Sequence, residues 1–203
     1  MSSPRIPPME PPYAPEIAAA LAKMMPPGSL VEPLRLFRTL AHNFVIGDRF
    51  RVLGSGILNK GSIDALDREI VILRTTARCG SEYEWGAHVV AYGRPLGLSE
   101  DQIVATVSGA SDDPAFTGRQ GLLVRLADAL HEEAAVSDDL WRELEKAWTA
   151  AQLIELLVTA GFYHIVSYVT NAARVEREDW AERFPAHRTI TPPPRTAAPG
   201  HIP

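Results

Sequence analysis

The chain has 203 residues, 46% hydrophobic and 22% charged, which is enough for one ordinary domain with a proper core. Its formal net charge of −5 lacks the basic field that phosphate backbones require, so no nucleic-acid partner is expected. No apolar run reaches the roughly 20 residues needed to cross a bilayer, and the opening MSSPRIPPMEPPYAP holds no apolar signal core.

Proline marks the ends of the chain. Nine prolines fall at or before Pro33, six at or after Pro185, and only Pro95 and Pro114 lie between. Because proline removes a backbone donor and clashes inside helices, the long middle is free to form them. Residues 1–14 read as an extended Pro-rich arm, 15–184 as a single helical domain and 185–203 as a Pro-rich tail. The arms would be mobile or wrap a neighbouring subunit.

Apolar spacing in the middle follows the helical period. It predicts helices near 15–25, 33–45, 47–58, 64–79, 81–93, 99–109, 117–132, 137–149 and 152–176, and no strand. Leu66, Ile70, Leu73 and Ala77 form one stripe; Leu122, Leu126, Ala129 and Leu130 form another. The run 153–175 is apolar on most sides, as suits a central helix buried by several neighbours. Ser99 with Gln102, and Ser81 with Glu84, both fit the capping box. The fold class is all-α.

Reactive side chains concentrate in one place. On a helix starting near Ser81, residues Ser81, Glu84 and His88 share a face, with Glu84 and His88 one turn apart. Glu69 lies on or beside the apolar stripe of the preceding helix. If the two helices pack as an antiparallel pair, two carboxylates and an imidazole share a partly dry pocket and push each other's pKa values apart. Arg68, Arg74 and Arg78 are candidates for gripping a substrate carboxylate, with Arg74 the first choice. Glu84 and His88 with His131 or His164 would be the start of a metal site. The usual zinc spacings are missing, however, so no metal is expected. Cys79 reads as a small buried residue rather than a reactive thiol.

The pattern Leu-x-x-Arg68-Glu69, then Ser81, Tyr83-Glu84-Trp85-x-x-His88 and Gly97-Leu98-Ser99, resembles the carboxymuconolactone decarboxylase family. That family includes the AhpD-type alkylhydroperoxidases. The segment from Glu155 through His164 to Asn171 is similar to the family's long closing helix. The resemblance implies an AhpD-like helical bundle, homo-oligomers such as trimers or hexamers, and active sites close to subunit contacts.

The peroxidase branch carries a Cys-x-x-Cys pair whose second member lies four residues ahead of the histidine. Here those positions hold Ser81 and Glu84, and Cys79 is the only cysteine. A peroxidase needs a thiolate and usually a resolving thiol. The resemblance therefore points to the decarboxylase branch: a cofactor-independent lyase acting on a carboxylated lactone or related unsaturated acid. It implies His88, Glu84 and Glu69 as catalytic residues, and Ser81, Tyr83, Trp85 and Arg74 as substrate-binding ones. Two other readings stay open, an AhpD-like peroxidase and a non-catalytic oligomeric scaffold. A single cysteine and the absence of a signal core suggest a soluble, cytoplasmic protein.

Overall fold

The computed structural model describes residues 3–25 and 32–186; the Pro192–Pro194 run and most of the expected tail lie outside the described residues. Among the described residues there are helices and no strand. The helices are α1 (Pro15–Ala22), α2 (Arg35–Leu40), α3 (Phe44–Lys60), α4 (Ala65–Arg78), α5 (Glu82–His88), α6 (Glu100–Ser108), α7 (Gly118–Glu133), α8 (Asp138–Ala147) and α9 (Ala150–Ala173).

Two of the expected helices are divided. The predicted 33–45 helix ends at Leu40 and continues as a 3-10 turn, Ala41–Asn43. A new helix then begins because the Asn43 side chain accepts a hydrogen bond from the Ile46 amide, satisfying an orphan donor. The predicted 81–93 helix is α-helical only to His88, and Val89–Gly93 widens into a π turn. Capping at Ser99 follows the expected box, with Gln102 reciprocating. Ser81 does not cap α5 with its side chain; its hydroxyl instead pairs with the Thr170 hydroxyl at 2.9 Å, tying the start of α5 to α9.

The helix enclosed on every side is α4, in which Asp67 through Thr76 are all buried. It packs against α5, α6, α7 and α9. One apolar cluster joins Ile70, Val71 and Leu73 to Trp85, Leu123, Leu126, Leu144 and Leu156. A second joins Ile72 to Leu36, Ile57, Tyr83, Phe162 and Val166. The expected central helix, α9, is only half enclosed: Ile154, Val158, Ile165 and Tyr168 are exposed. Its 24 residues are also long and apolar enough by composition to span a bilayer, contrary to the reading of the sequence, although half of the most apolar stretch is buried against neighbouring helices.

The N-terminal arm lies along its own chain. Arg5 and Ile6 donate backbone hydrogen bonds to Ala173, and Met9 donates to the Arg38 carbonyl. Beyond α9, residues 176–186 form a strap across α5. Glu178 accepts from Tyr83 at 2.7 Å, the Phe184 amide donates to Glu82 at 2.9 Å, and Phe184 packs on Trp85. The strap passes so close to Gly86 that a Cβ there would sit 2.0 Å from the Glu182 carbonyl oxygen.

Charge inside this core must be paired. Arg74 forms a two-pronged contact with Asp128, at 2.7 and 2.8 Å, and also donates to the carbonyls of Ala105 and Thr106. Asp128→Ala leaves that guanidinium buried with no counter-charge. It should cost about 3–5 kcal/mol, measured by urea unfolding, and adding Arg74→Met should recover part of the loss.

Candidate functional site

Glu69 reaches inward from α4 and is fully buried, while Glu84 and His88 project from one face of α5 toward it. The imidazole is held at both nitrogens: Nδ1 lies 2.8 Å from Glu69 Oε2, and Nε2 lies 3.3 Å from Glu84 Oε1. The helical spacing that put Glu84 and His88 together thus also turns them toward α4. Two tyrosines complete the surroundings. Tyr163 of α9 meets the imidazole edge-on at 5.0 Å, and Tyr92, one residue from the end of the π turn, lies at 5.0 Å at a shallower angle.

Burial alone would lower the pKa of His88, since it penalises the charged ring. The charge and hydrogen bonds of Glu69 and Glu84 outweigh it and raise the pKa to about 10. At neutral pH the ring is therefore an imidazolium between two carboxylates. Burial, with the negative charge of the same two residues, pushes the Tyr163 phenol well above its ordinary value. Tyr92 moves the same way, chiefly through burial and Glu69. Both remain neutral hydrogen-bond donors.

One edge of the site is unfinished. Arg68 Nε and Glu69 Oε1 are buried without a hydrogen-bond partner and stand 3.7 Å apart, beyond bonding distance. Buried orphan groups of this kind cost free energy and recur where a ligand or water completes the set.

The residues expected to bind substrate are each engaged in contacts within the bundle. Arg74 is paired with Asp128. The Tyr83 hydroxyl donates to Glu178 and accepts from the Leu36 amide, and the Trp85 indole donates to Thr106. They flank the Glu84–His88 face on different sides of α5, Trp85 in one apolar cluster and Tyr83 in the other. Ser81 shares the reactive face but is spent on Thr170. Arg78 pairs with Glu132 and Asp128, leaving Arg68 as the arginine against the trio. Tyr163 was hidden in an apolar run, where nothing in the spacing separates a core tyrosine from one facing a site. His131 and His164 lie against each other and Cys79, not beside Glu84 and His88. A surface groove of about 400 Å³ between α3 and α9, lined by Arg49, Val52, Leu53, Glu155 and Val158, contains none of the trio.

Three solved structures share this arrangement of helices. A peroxidase-related protein from Silicibacter sp. TM1040 superposes with a TM-score of 0.67 at 16% identity, covering 80% of this chain and 93% of that one. A cysteine-to-alanine variant of the debrominase Bmp8, in complex with 2,3,4-tribromopyrrole, gives 0.66 at 14% identity, covering 86% and 92%. A protein of unknown function from Agrobacterium tumefaciens, provisionally described as an AhpD antioxidant defence protein, gives 0.60 at 18%, covering 68% and 94%. The chain has the AhpD-like fold. No family model matches the sequence, and no curated protein matches it significantly. Within the AhpD-like bundle, this chain places a carboxylate–imidazolium–carboxylate triplet on α4 and α5.

The raised pKa of His88 links site and stability. The unfolded ring titrates near 6.5 and the folded one near 10, so the stabilisation is full below pH 6.5 and drains away as pH climbs to about 10. Urea unfolding from pH 6.5 upward should show the wild type losing stability more steeply than His88→Gln.

Proposed function

We propose that this protein is a carboxymuconolactone decarboxylase-like lyase that handles protons on a carboxylated lactone or related unsaturated acid. The observation carrying this reading is the imidazolium of His88, clamped at both nitrogens in a buried site. Loss of carbon dioxide from a carboxylate placed beyond an unsaturated carbonyl breaks the C–C bond and leaves its electron pair delocalised into that carbonyl. A proton must then reach carbon.

Exposure suggests how the labour divides. Glu69 is fully buried, whereas Glu84 is 8% exposed and holds His88 by the longer contact. Glu84 is thus the group a substrate meets. His88 supplies the proton, directly or through Glu84, and Glu69 anchors the ring in its charged form. The spare Nε–H of Arg68 offers a carboxylate its first contact, and the neutral phenols of Tyr92 and Tyr163 supply donors for developing negative charge.

Turnover of carboxylated unsaturated lactones, followed as carbon dioxide release in heavy water, should place one deuterium on carbon, either at the former carboxyl-bearing position or at the carbon next to the carbonyl into which the electron pair is delocalised. His88→Gln and Glu84→Gln should each lower kcat by about 10²–10⁴-fold. Full activity in His88→Gln would exclude this chemistry. The competing peroxidase reading draws on the peroxidase-related and AhpD-described structures that share the fold. It would have to use Cys79, whose thiol is pushed up by burial and so is poorly ionised. Reductant-dependent hydroperoxide turnover that alkylation of Cys79 abolishes would favour it.

The same reading places the protein in solution in the cytoplasm as a trimer or hexamer. The support is an exposed apolar face on α3 and α9, comprising Val45, Ile46, Val52, Leu53, Ile154 and Val158. Light scattering should give an oligomer for the wild type and a smaller species for Val52→Glu with Val158→Glu.

A further inference from the structure

Away from the triplet, three helices bring ligating atoms to one point. Cys79 caps the C-terminus of α4, His131 occupies the last turn of α7, and His164 sits midway along α9. All three side chains are half-buried, and their ligating atoms lie within 4.8 Å of one another. His131 Nδ1 is 3.2 Å from His164 Nε2 and 3.7 Å from Cys79 Sγ.

The two shorter of these separations are close to edges of a coordination tetrahedron. Zinc–nitrogen bonds of about 2.0–2.1 Å and zinc–sulfur bonds of about 2.3 Å put two nitrogens roughly 3.3–3.4 Å apart, and nitrogen and sulfur roughly 3.5–3.6 Å apart. The outer contacts fit as well. His164 Nδ1 donates to the Ala160 carbonyl at 2.9 Å, which fixes the tautomer and leaves the Nε2 lone pair facing His131 and Cys79. A hydrogen bond between the two rings would use one of these groups as donor and one as acceptor, whereas a metal ion uses all three.

We propose that Cys79, His131 and His164 form a binding site for a zinc-class divalent ion, with a fourth position left for water or a small exogenous ligand. The donor set is two imidazole nitrogens and a thiolate, which favours borderline transition ions over Mg²⁺ or Ca²⁺. Asp128 and Glu132 approach His131 with negative charge, and Arg78 pairs with both. An ion held here would staple α4, α7 and α9 together. The expectation of no metal considered a different set of residues, with Glu84 and His88 as its first two ligands.

The test is Co²⁺ titration of full-length protein freed of metal by chelator and reductant. One ion per chain should bind, with tetrahedral cobalt absorption and a sulfur-to-cobalt charge-transfer band, and Zn²⁺ should displace it. Cys79→Ser should lose the band. His131→Ala and His164→Ala should each weaken binding by more than the roughly 10–100-fold that loss of an outer-shell partner costs. The unmutated protein gives a check that needs no variant: Zn²⁺ should slow alkylation of Cys79 and raise the melting temperature. No charge-transfer band, unchanged binding in a protein combining Cys79→Ser, His131→Ala and His164→Ala, or unprotected Cys79 would each overturn the proposal. None of these readouts depends on lyase turnover.

Discussion

A helix enclosed on all sides can carry charge only where every charged group meets a partner, and α4 carries four such groups within its buried stretch. Asp67 meets Arg119 of α7 at 2.8 Å, Glu69 meets His88 of α5, and Arg74 meets Asp128 of α7 together with carbonyls of α6. Each pairing costs desolvation that its geometry must offset, so such contacts are better at fixing position than at adding stability. They act here as registration pins: sliding or turning α4 would strand an ion in apolar surroundings. Arg68 is the exception among these charged groups, with only a long contact to Glu69, and that incomplete ion pair falls beside the histidine.

The same constraint explains what could be read in advance. Helical periodicity was enough to place Glu84 and His88 on one face and Glu69 on the inner stripe of its helix, because burial follows the 3.6-residue repeat. It could not say which buried polar group each side chain would find. Arg74 and Glu69 both lie on buried positions of α4, yet one is consumed by the core and the other faces the imidazole. Tyr83 and Trp85 belong to the conspicuous motif, but their polar atoms are taken up by Glu178, Leu36 and Thr106. The breaks after Leu40 and His88 depend on local bonding that apolar spacing does not register. The meeting of Cys79, His131 and His164 was wholly out of view, because it depends on how three separate helices end and cross.

The bundle is shared with proteins described as a debrominase and as peroxidase-related, at identities no higher than 16%. A common arrangement of helices therefore says little about chemistry. At the two positions that the family resemblance assigns to a thiol pair, this chain carries Ser81, whose hydroxyl pairs with Thr170 of α9, and Glu84, whose carboxylate meets the imidazole.

The strap across α5 gives that short helix a second function. One face holds Glu84 and His88 against α4; the other sides are pinned through Glu82, Tyr83 and Trp85, with Gly86 leaving no room for a side chain beneath Glu182. Successive residues on an α-helix are about 100° apart, so a single insertion or deletion between Tyr83 and His88 would rotate both faces out of alignment at once. Point substitutions can be absorbed one contact at a time, but a frameshift in helical phase cannot. Over evolutionary time this segment should hold its length far more strictly than its composition, with changes in length pushed out to the loops around it.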